Sequence, residues 1–382
     1  MTILLGIDQL LNDKLALIQN QRVGLISNAS AVTHSRIPTL DALMNEPNVQ
    51  VAALFAPEHG FQSAVAAGMT VTSGRDARTR LPIYSLYGDT KRPTAEMLAD
   101  LDVFVFDIQT VGARFFTYIT TLLYVMEIAA QHQVRVIVCD RPNPIGGERV
   151  EGPVLSTEFA SFVGPKPLPI RHGLTIGELA LMYHRVWQVD CDLHVVCCQH
   201  WQRYDWYDDT GLIWIPPSPN ISKLDTAIVY PGICLFEGTN LSEGRGTTTP
   251  FEIVGAPWLD GYVLASKMNA LELPGIHFQP VSFQPTASKW AGQVCNGVQL
   301  HVLDRHTMLP ITVALYLLAQ IRTLNPDDFQ WQLPHFDYLS GTDLLRQQIM
   351  SGVPVTEIEH AWQVGLEQFK EMSDAVKLYR PT

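Results

Sequence analysis

The sequence predicts an α/β fold, with a mostly parallel sheet layered by helices in the first part and a smaller α+β part after it. Three observations carry that expectation. Short β-rich runs alternate with helical stretches through the first 145 residues or so. Two of the runs, DVFVFDI (102–108) and VRVIVCD (134–140), are apolar at nearly every position. A strand reads that way when both of its faces are covered, as in the buried parallel sheet of βαβ units. Beyond residue 145 the texture changes, and proline and glycine thicken.

The elements follow in order. VGLIS (23–27) is the first strand, and a helix is expected near 36–46. VQVAALF (49–55) follows, then a long loop containing glycine, then LPIYSLY (81–87). PTAEMLAD (93–100) opens a helix on Pro93 and Thr94, residues suited to a helix start. TYITTLLYVMEIAAQH (117–132) is helical by length and spacing and lies between the two apolar strands. TIGELALMYHRVW (175–187) carries Thr175 and, three residues on, Glu178, the signature of a capping box. LHVVCCQ (193–199) extends the sheet, and WIPPSPNIS (214–222) reads as a linker, because three prolines preclude a helix or a central strand. The expected division is therefore a domain of residues 1–222 and one of 223–382. The second part is expected to hold a strand at TAIVYPG (226–232), a glycine-rich loop and a strand within VCNGVQLHVLD (294–304). Helices are expected at 311–321 and near 356–370.

Composition narrows the function. The 382 residues are 47% hydrophobic, enough for a large core, and carry a net charge of −12. Nucleic acids and anionic membranes call for a basic field, so neither is an expected partner. No apolar run reaches the length of a membrane span. The opening MTILLGIDQLLND has no basic stretch, so a cytoplasmic location is expected, or a secreted or periplasmic one if a leader has been removed. The six cysteines form no C-x-x-C pair and read as buried thiols.

Ligands of open α/β sheets bind outside the carboxyl ends of the strands. Those ends carry Asn28, then Glu58 and His59, then Asp107 and Gln109 followed by Arg114 and Tyr118, then Asp140, Arg141 and Asn143. If the sheet is parallel, these residues share one rim. The sequence has no G-x-G-x-x-G, no P-loop, no H-E-x-x-H and no G-x-S-x-G, so no cofactor or metal is expected. Carboxylate chemistry remains. Glu58, between Phe55 and Phe61, is the best-placed general acid. His59 either orients Glu58 or the substrate, or is structural. A second dense segment, FEGTNLSEGRGTTTPFE (236–252), holds Glu237, Asn240, Glu243 and Arg245. Arg245 either forks onto a ligand carboxylate or pairs with Glu243 to brace the loop. Asn220, in the linker, is a further candidate contact.

The stretches ALFAPEHGF, YSLYGDTKRPT, VFDIQTVGARFFTYITTL, DRPNPIGG, VEGPVL, WIPPSPN and YPGICLFEGTNLSEGRGTTTPFE, with GAPW, closely resemble the NamZ-like exo-β-N-acetylmuramidases, glycoside hydrolase family 171. The resemblance is strong over residues 5 to 260 and looser beyond. It implies a Rossmann-like N-terminal domain and a smaller C-terminal domain. It also implies release of N-acetylmuramic acid (MurNAc) from the non-reducing end of peptidoglycan fragments such as MurNAc-GlcNAc. It places the catalytic glutamate at Glu58 and a site residue at Tyr118. Gln109-Thr110 departs from the Gln-Asp of many relatives. Asp107, Asp140, Glu237 and Glu243 are the candidates for a second catalytic carboxylate. Arg114, Arg141 and Arg245 are the candidates for holding the lactyl carboxylate of muramic acid. Two other readings are a non-catalytic murein-sugar binding protein and a peptidoglycan amidase or esterase. The sequence leaves the oligomeric state open.

Overall fold

A computed structural model describes residues 2–380. Helix α1 (Gly6–Asp13) precedes strand β1 (Arg22–Ser27). Then come α2 (Thr39–Met44), β2 (Gln50–Ala56), β3 (Gly74–Arg75), β4 (Pro82–Ser85), α3 (Ala95–Leu98) and β5 (Val103–Asp107). Helix α4 (Tyr118–His132) leads to β6 (Arg135–Cys139), and β7 (Glu151–Val154) and β8 (Pro169–Arg171) form a separate antiparallel pair. Helix α5 (Ile176–Arg185) and β9 (Leu193–Val196) complete the large sheet. Its order is β3-β4-β2-β1-β5-β6-β9, and only the edge strand β3 is antiparallel. Numbered along the chain, the six parallel strands lie in the doubly wound order 3-2-1-4-5-6, the Rossmann arrangement.

The apolar strands are buried on both faces, as their composition requires. Val103, Val105, Ile137 and Cys139 join one cluster with Ile7 and Leu10 of α1. Phe104, Phe106, Val136 and Val138 join the other, with Ile119, Leu122 and Met126 of α4 and Leu179 of α5. The expected capping box is present, with Thr175 accepting from the Glu178 amide and the Glu178 side chain accepting from the Thr175 amide.

The second cluster runs on into the remainder of the chain. There α6 (Leu224–Ile233), β10 (Ile253–Ala256), α7 (Gly261–Asn269), β11 (Ile276–Phe283), β12 (Cys295–Val302) and α8 (Pro310–Leu324) build an antiparallel sheet, order β10-β12-β11, with helices. The last helices are α9 (His335–Ser340), α10 (Leu344–Met350), α11 (Val355–Ala361) and α12 (Gln363–Asp374). After α12 the chain returns to the large sheet, where the Tyr379 hydroxyl meets Asp140 at 2.5 Å.

Two expectations are corrected. TAIVYPG lies in helix α6, not in a strand. Thr226 to Ile233 are all buried, so the segment has no polar face to mark a helical period, and a short apolar run of this kind is ambiguous by pattern. A Cβ at Gly232 would lie 1.9 Å from the Pro310 carbonyl, so that glycine lets α6 approach the start of α8 closely. The C-terminal helix is two helices, α11 and α12, divided at Trp362. No helix among the described residues is long and apolar enough to cross a membrane.

Candidate active site

Strand β2 ends in a tight turn, Pro57-Glu58-His59-Gly60. His59 takes a left-handed φ of 72° and Gly60 one of 78°. A left-handed non-glycine residue is held there only by its surroundings, and such residues gather at functional sites. The turn projects Glu58 into a cavity of 840 Å³, within the roughly 300–1,000 Å³ of small-molecule sites.

Each oxygen of Glu58 has a partner. Oε2 accepts from the Thr117 hydroxyl at 2.6 Å, and Oε1 accepts from the Gly68 amide at 3.1 Å. Tyr87 lines the same cavity, and burial together with the Glu58 charge pushes its phenol up to about 12. It therefore stays protonated near neutrality, able to donate. His59 Nδ1 lies 2.8 Å from the Val65 carbonyl. A carbonyl only accepts, so Nδ1 carries the proton. Burial lowers the imidazole below its usual range, and Arg245 adds to this, against the Glu58 charge and the Val65 bond. His59 is therefore neutral at pH 7, with Nε2 unprotonated.

Tyr118 opens α4. Its hydroxyl donates to the Pro217 carbonyl at 2.6 Å and accepts from Asn28 Nδ2 at 3.0 Å. Asn28 also donates to Pro217. The proline-rich segment 214–222 is thus bolted to the sheet rim, and its residues Ser218 to Ile221, including Asn220, line the cavity.

The other wall comes from the segment after α6 and from residues 287–289. Arg245 reaches Glu237 Oε1 through Nη2 at 2.6 Å and Nε at 3.2 Å, and Glu243 Oε1 at 3.4 Å. Lys289 Nζ lies 2.8 Å from Glu243 Oε2 and donates to the carbonyls of Phe236 and Thr239. Burial alone would raise the Glu237 carboxyl, but Arg245 and His335 outweigh it and hold it at about 2. Glu237 is therefore ionised at neutral pH. Gly246 has a φ of 79°, and a Cβ there would sit 2.5 Å from the Ala287 amide nitrogen, so glycine lets these two loops meet. Edge-to-face contacts Phe115–Tyr230 and Tyr230–Phe251 join this wall to the loop after β5.

The family model for the N-terminal part of the exo-β-N-acetylmuramidase NamZ matches residues 23–225. The model for its C-terminal part matches residues 228–379. The chain belongs to the NamZ exo-β-N-acetylmuramidase family. It is 44% identical over 375 residues to the peptidoglycan β-N-acetylmuramidase NamZ of Bacillus subtilis (strain 168), covering 98% of this chain and 91% of that protein. Among solved structures it resembles a DUF1343 family protein from Bacteroides fragilis NCTC 9343, at 37% identity and a TM-score of 0.92, with 99% of each chain covered. A second DUF1343 protein of the same strain is 30% identical with a TM-score of 0.81, over all of both chains.

In this NamZ-family chain several residues nominated from the strand ends do not line the cavity. Asp107 and Arg141 form a buried bidentate pair, at 2.6 and 2.8 Å, and Thr39 donates a third bond to Asp107. Asp107 ends β5, Arg141 lies two residues beyond the adjacent β6, and the two satisfy each other. Asp140 accepts from the Thr175 and Tyr379 hydroxyls and from the amides of Gly177 and Arg141. Burial raises it to about 6, and Glu178 adds to this, against those bonds. It anchors the start of α5. Asn143 and Gln109 bond only to nearby backbone. Arg114 is fully buried and donates to the carbonyls of Pro153, Leu168 and Leu339. Asn240 ties its loop to Asp328 and Gln330. Arg245 does line the cavity, with its charge already answered by Glu237 and Glu243.

Five cavity residues carry chemistry that the sequence did not single out: Thr117, Tyr87, Lys91, Lys289 and His335. The first three stand inside stretches that carry the family resemblance, a signal that was present. Lys289 and His335 lie in ordinary loop and helix sequence with none.

Proposed function

We propose that this chain is an exo-acting glycosidase that releases MurNAc from the non-reducing end of peptidoglycan fragments, in cell-wall recycling or salvage. Glu58 serves as the general acid. Glu237 serves as the second carboxylate. The observation that carries this reading is one cavity presenting a hydrogen-bonded carboxyl from the sheet rim and an ionised carboxylate from the later part of the chain. We take residues 1–222 and 223–382 as two domains with the site in the cleft between them.

Glu58 would give its proton to the glycosidic oxygen as the bond to the anomeric carbon breaks, so the leaving sugar departs neutral. Thr117 and the Gly68 amide fix the carboxyl for that transfer. Glu237 would stabilise the positive charge that grows on the sugar ring. Water then adds to the anomeric carbon and its proton returns to Glu58, which frees MurNAc and restores the acid. Glu237 is the better of the two remaining candidates because its side chain is 21% exposed, whereas Glu243 is 1% exposed and held by Lys289 and Arg245. Tyr87, half-buried on the cavity wall, supplies aromatic surface for the sugar.

The test is incubation with MurNAc-β-1,4-GlcNAc, with products followed by mass spectrometry. Free MurNAc and GlcNAc are expected. Tight binding of the intact disaccharide without turnover would overturn catalysis in favour of a binding protein. Cleavage of a peptide or ester bond would overturn the glycosidase reading.

A further inference from the structure

This inference rests on the proposed substrate and names what would recognise it. MurNAc differs from GlcNAc by a lactyl ether that carries a carboxylate. A pocket that prefers MurNAc must offer that carboxylate a cation or leave it poorly solvated. The need is sharper in a chain of net charge −12.

Three cations of lysine and arginine line the cavity: Arg245, Lys289 and Lys91. Arg245 is neutralised by Glu237 and Glu243. Lys289 donates to two carbonyls, and its charge is answered by Glu243 at 2.8 Å. Arg114 and Arg141 are buried elsewhere. Lys91 is different. Among the described residues it has no salt bridge, and its ammonium makes no hydrogen bond. Instead Nζ lies 4.0 Å from the centroid of the Phe162 ring and 5.4 Å from that of Tyr87. Those two rings lie 5.7 Å apart, tilted 46° to each other, and Tyr87 is the phenol that senses Glu58. The next residue, Arg92, pairs with Glu127 and lies over the Tyr124 ring, which pins the segment. An ammonium resting on aromatic faces is held in place while its three N–H donors stay free.

We propose that Lys91, seated on Phe162 and Tyr87, grips the lactyl carboxylate of the muramyl residue and so selects muramyl over glucosaminyl ends. A lactyl group already joined to a stem peptide has lost that charge, so Lys91 also favours peptide-free sugar.

The experiment measures binding and turnover side by side. Wild type, Lys91→Gln and Lys91→Arg are titrated with MurNAc and with its lactyl carboxamide, and each is assayed on MurNAc-GlcNAc. For MurNAc, Lys91→Gln is expected to weaken binding and raise KM about tenfold or more, the worth of one charge-assisted hydrogen bond. Its kcat should stay within about threefold, because the contact forms equally in ground and transition states. On the carboxamide, wild type and Lys91→Gln should bind alike, and Lys91→Arg should keep most of the MurNAc affinity. Equal affinity of wild type and Lys91→Gln for MurNAc overturns the proposal, as does an equal loss on both ligands. The proposed function fails separately: wild type that binds MurNAc through Lys91 but cleaves nothing removes catalysis and leaves this contact standing.

Discussion

The carboxyl rim of the large sheet has two halves that began with the same kind of residue and ended differently. On the β2 side, Glu58 and His59 face a cavity. On the β5–β6 side, Asp107, Arg141 and Asp140 are sealed. The cause is what lies opposite each half. Asp107 ends β5 and Arg141 follows the neighbouring β6, an anion beside a cation, and Thr39 and Tyr379 add further partners to this side. Among the described residues no arginine lies within salt-bridge distance of Glu58, just past β2, and the 217–221 and 234–246 segments line the cavity it faces instead of filling it. A strand-end carboxylate therefore becomes available for chemistry when its lateral neighbours leave it unpaired and a second structural unit builds a wall at a distance.

That contrast can be broken or sharpened by substitution, and the largest effect belongs to the open half. Glu58→Gln should lower kcat for MurNAc release by about 10³-fold, some 4 kcal/mol, while the thermal midpoint stays near that of wild type. A variant that unfolds instead would place Glu58 among the structural residues. Asp107→Asn, in the closed half, should do the reverse. It leaves the Arg141 charge buried without its anion, which costs about 3–4 kcal/mol in a urea melt, and the folded fraction should keep wild-type kcat. Loss of kcat in folded protein would extend the site across the whole rim.

A pH titration gives the next largest effect. Burial, with Arg114 and Arg171 adding to it, drives His172 down to about 3. The unfolded chain takes up that proton below about 6.5 and the folded protein refuses it, so stability is lost as pH falls through that window. Asp140, raised to about 6, works against this slope, because the folded protein binds its proton first. Comparing wild type with His172→Asn isolates the histidine. Between pH 7.5 and pH 5 wild type should lose about 2 kcal/mol relative to the variant. Parallel stability curves would refute a neutral buried His172. The smallest effect is expected for Tyr379→Phe. It removes the hydroxyl that donates to Asp140 and accepts from the Cys198 amide, at about 1–1.5 kcal/mol by urea melt, with no change in KM.

Much of the scaffold was legible in the residues. Continuous apolar runs at β5 and β6, the Thr175–Glu178 cap and the prolines of 214–222 each carry a local physical signal, and each behaves as that signal requires. Helix α6 was not legible, because a segment buried on every side shows no period. Within the site, Glu58, His59, Tyr118, Glu237, Glu243 and Arg245 were named from the sequence and line one cavity. Asp107, Asp140, Arg114 and Arg141 also stood at or just after strand ends. The flanking Phe55 and Phe61 and the family resemblance favoured Glu58, but nothing in one dimension showed that the other four are paired or buried away from the cavity.

The sequence alone therefore determined the layered α/β fold and its family, because burial patterns, caps and turn residues act over short stretches and are written locally. Only the tertiary structure decided which charges remain free. Whether an ion is paired depends on what lies within about 4 Å of it. For Arg141 that is Asp107, 34 residues away, for Arg245 it is Glu237 and Glu243, and for Lys91 it is the face of an aromatic ring.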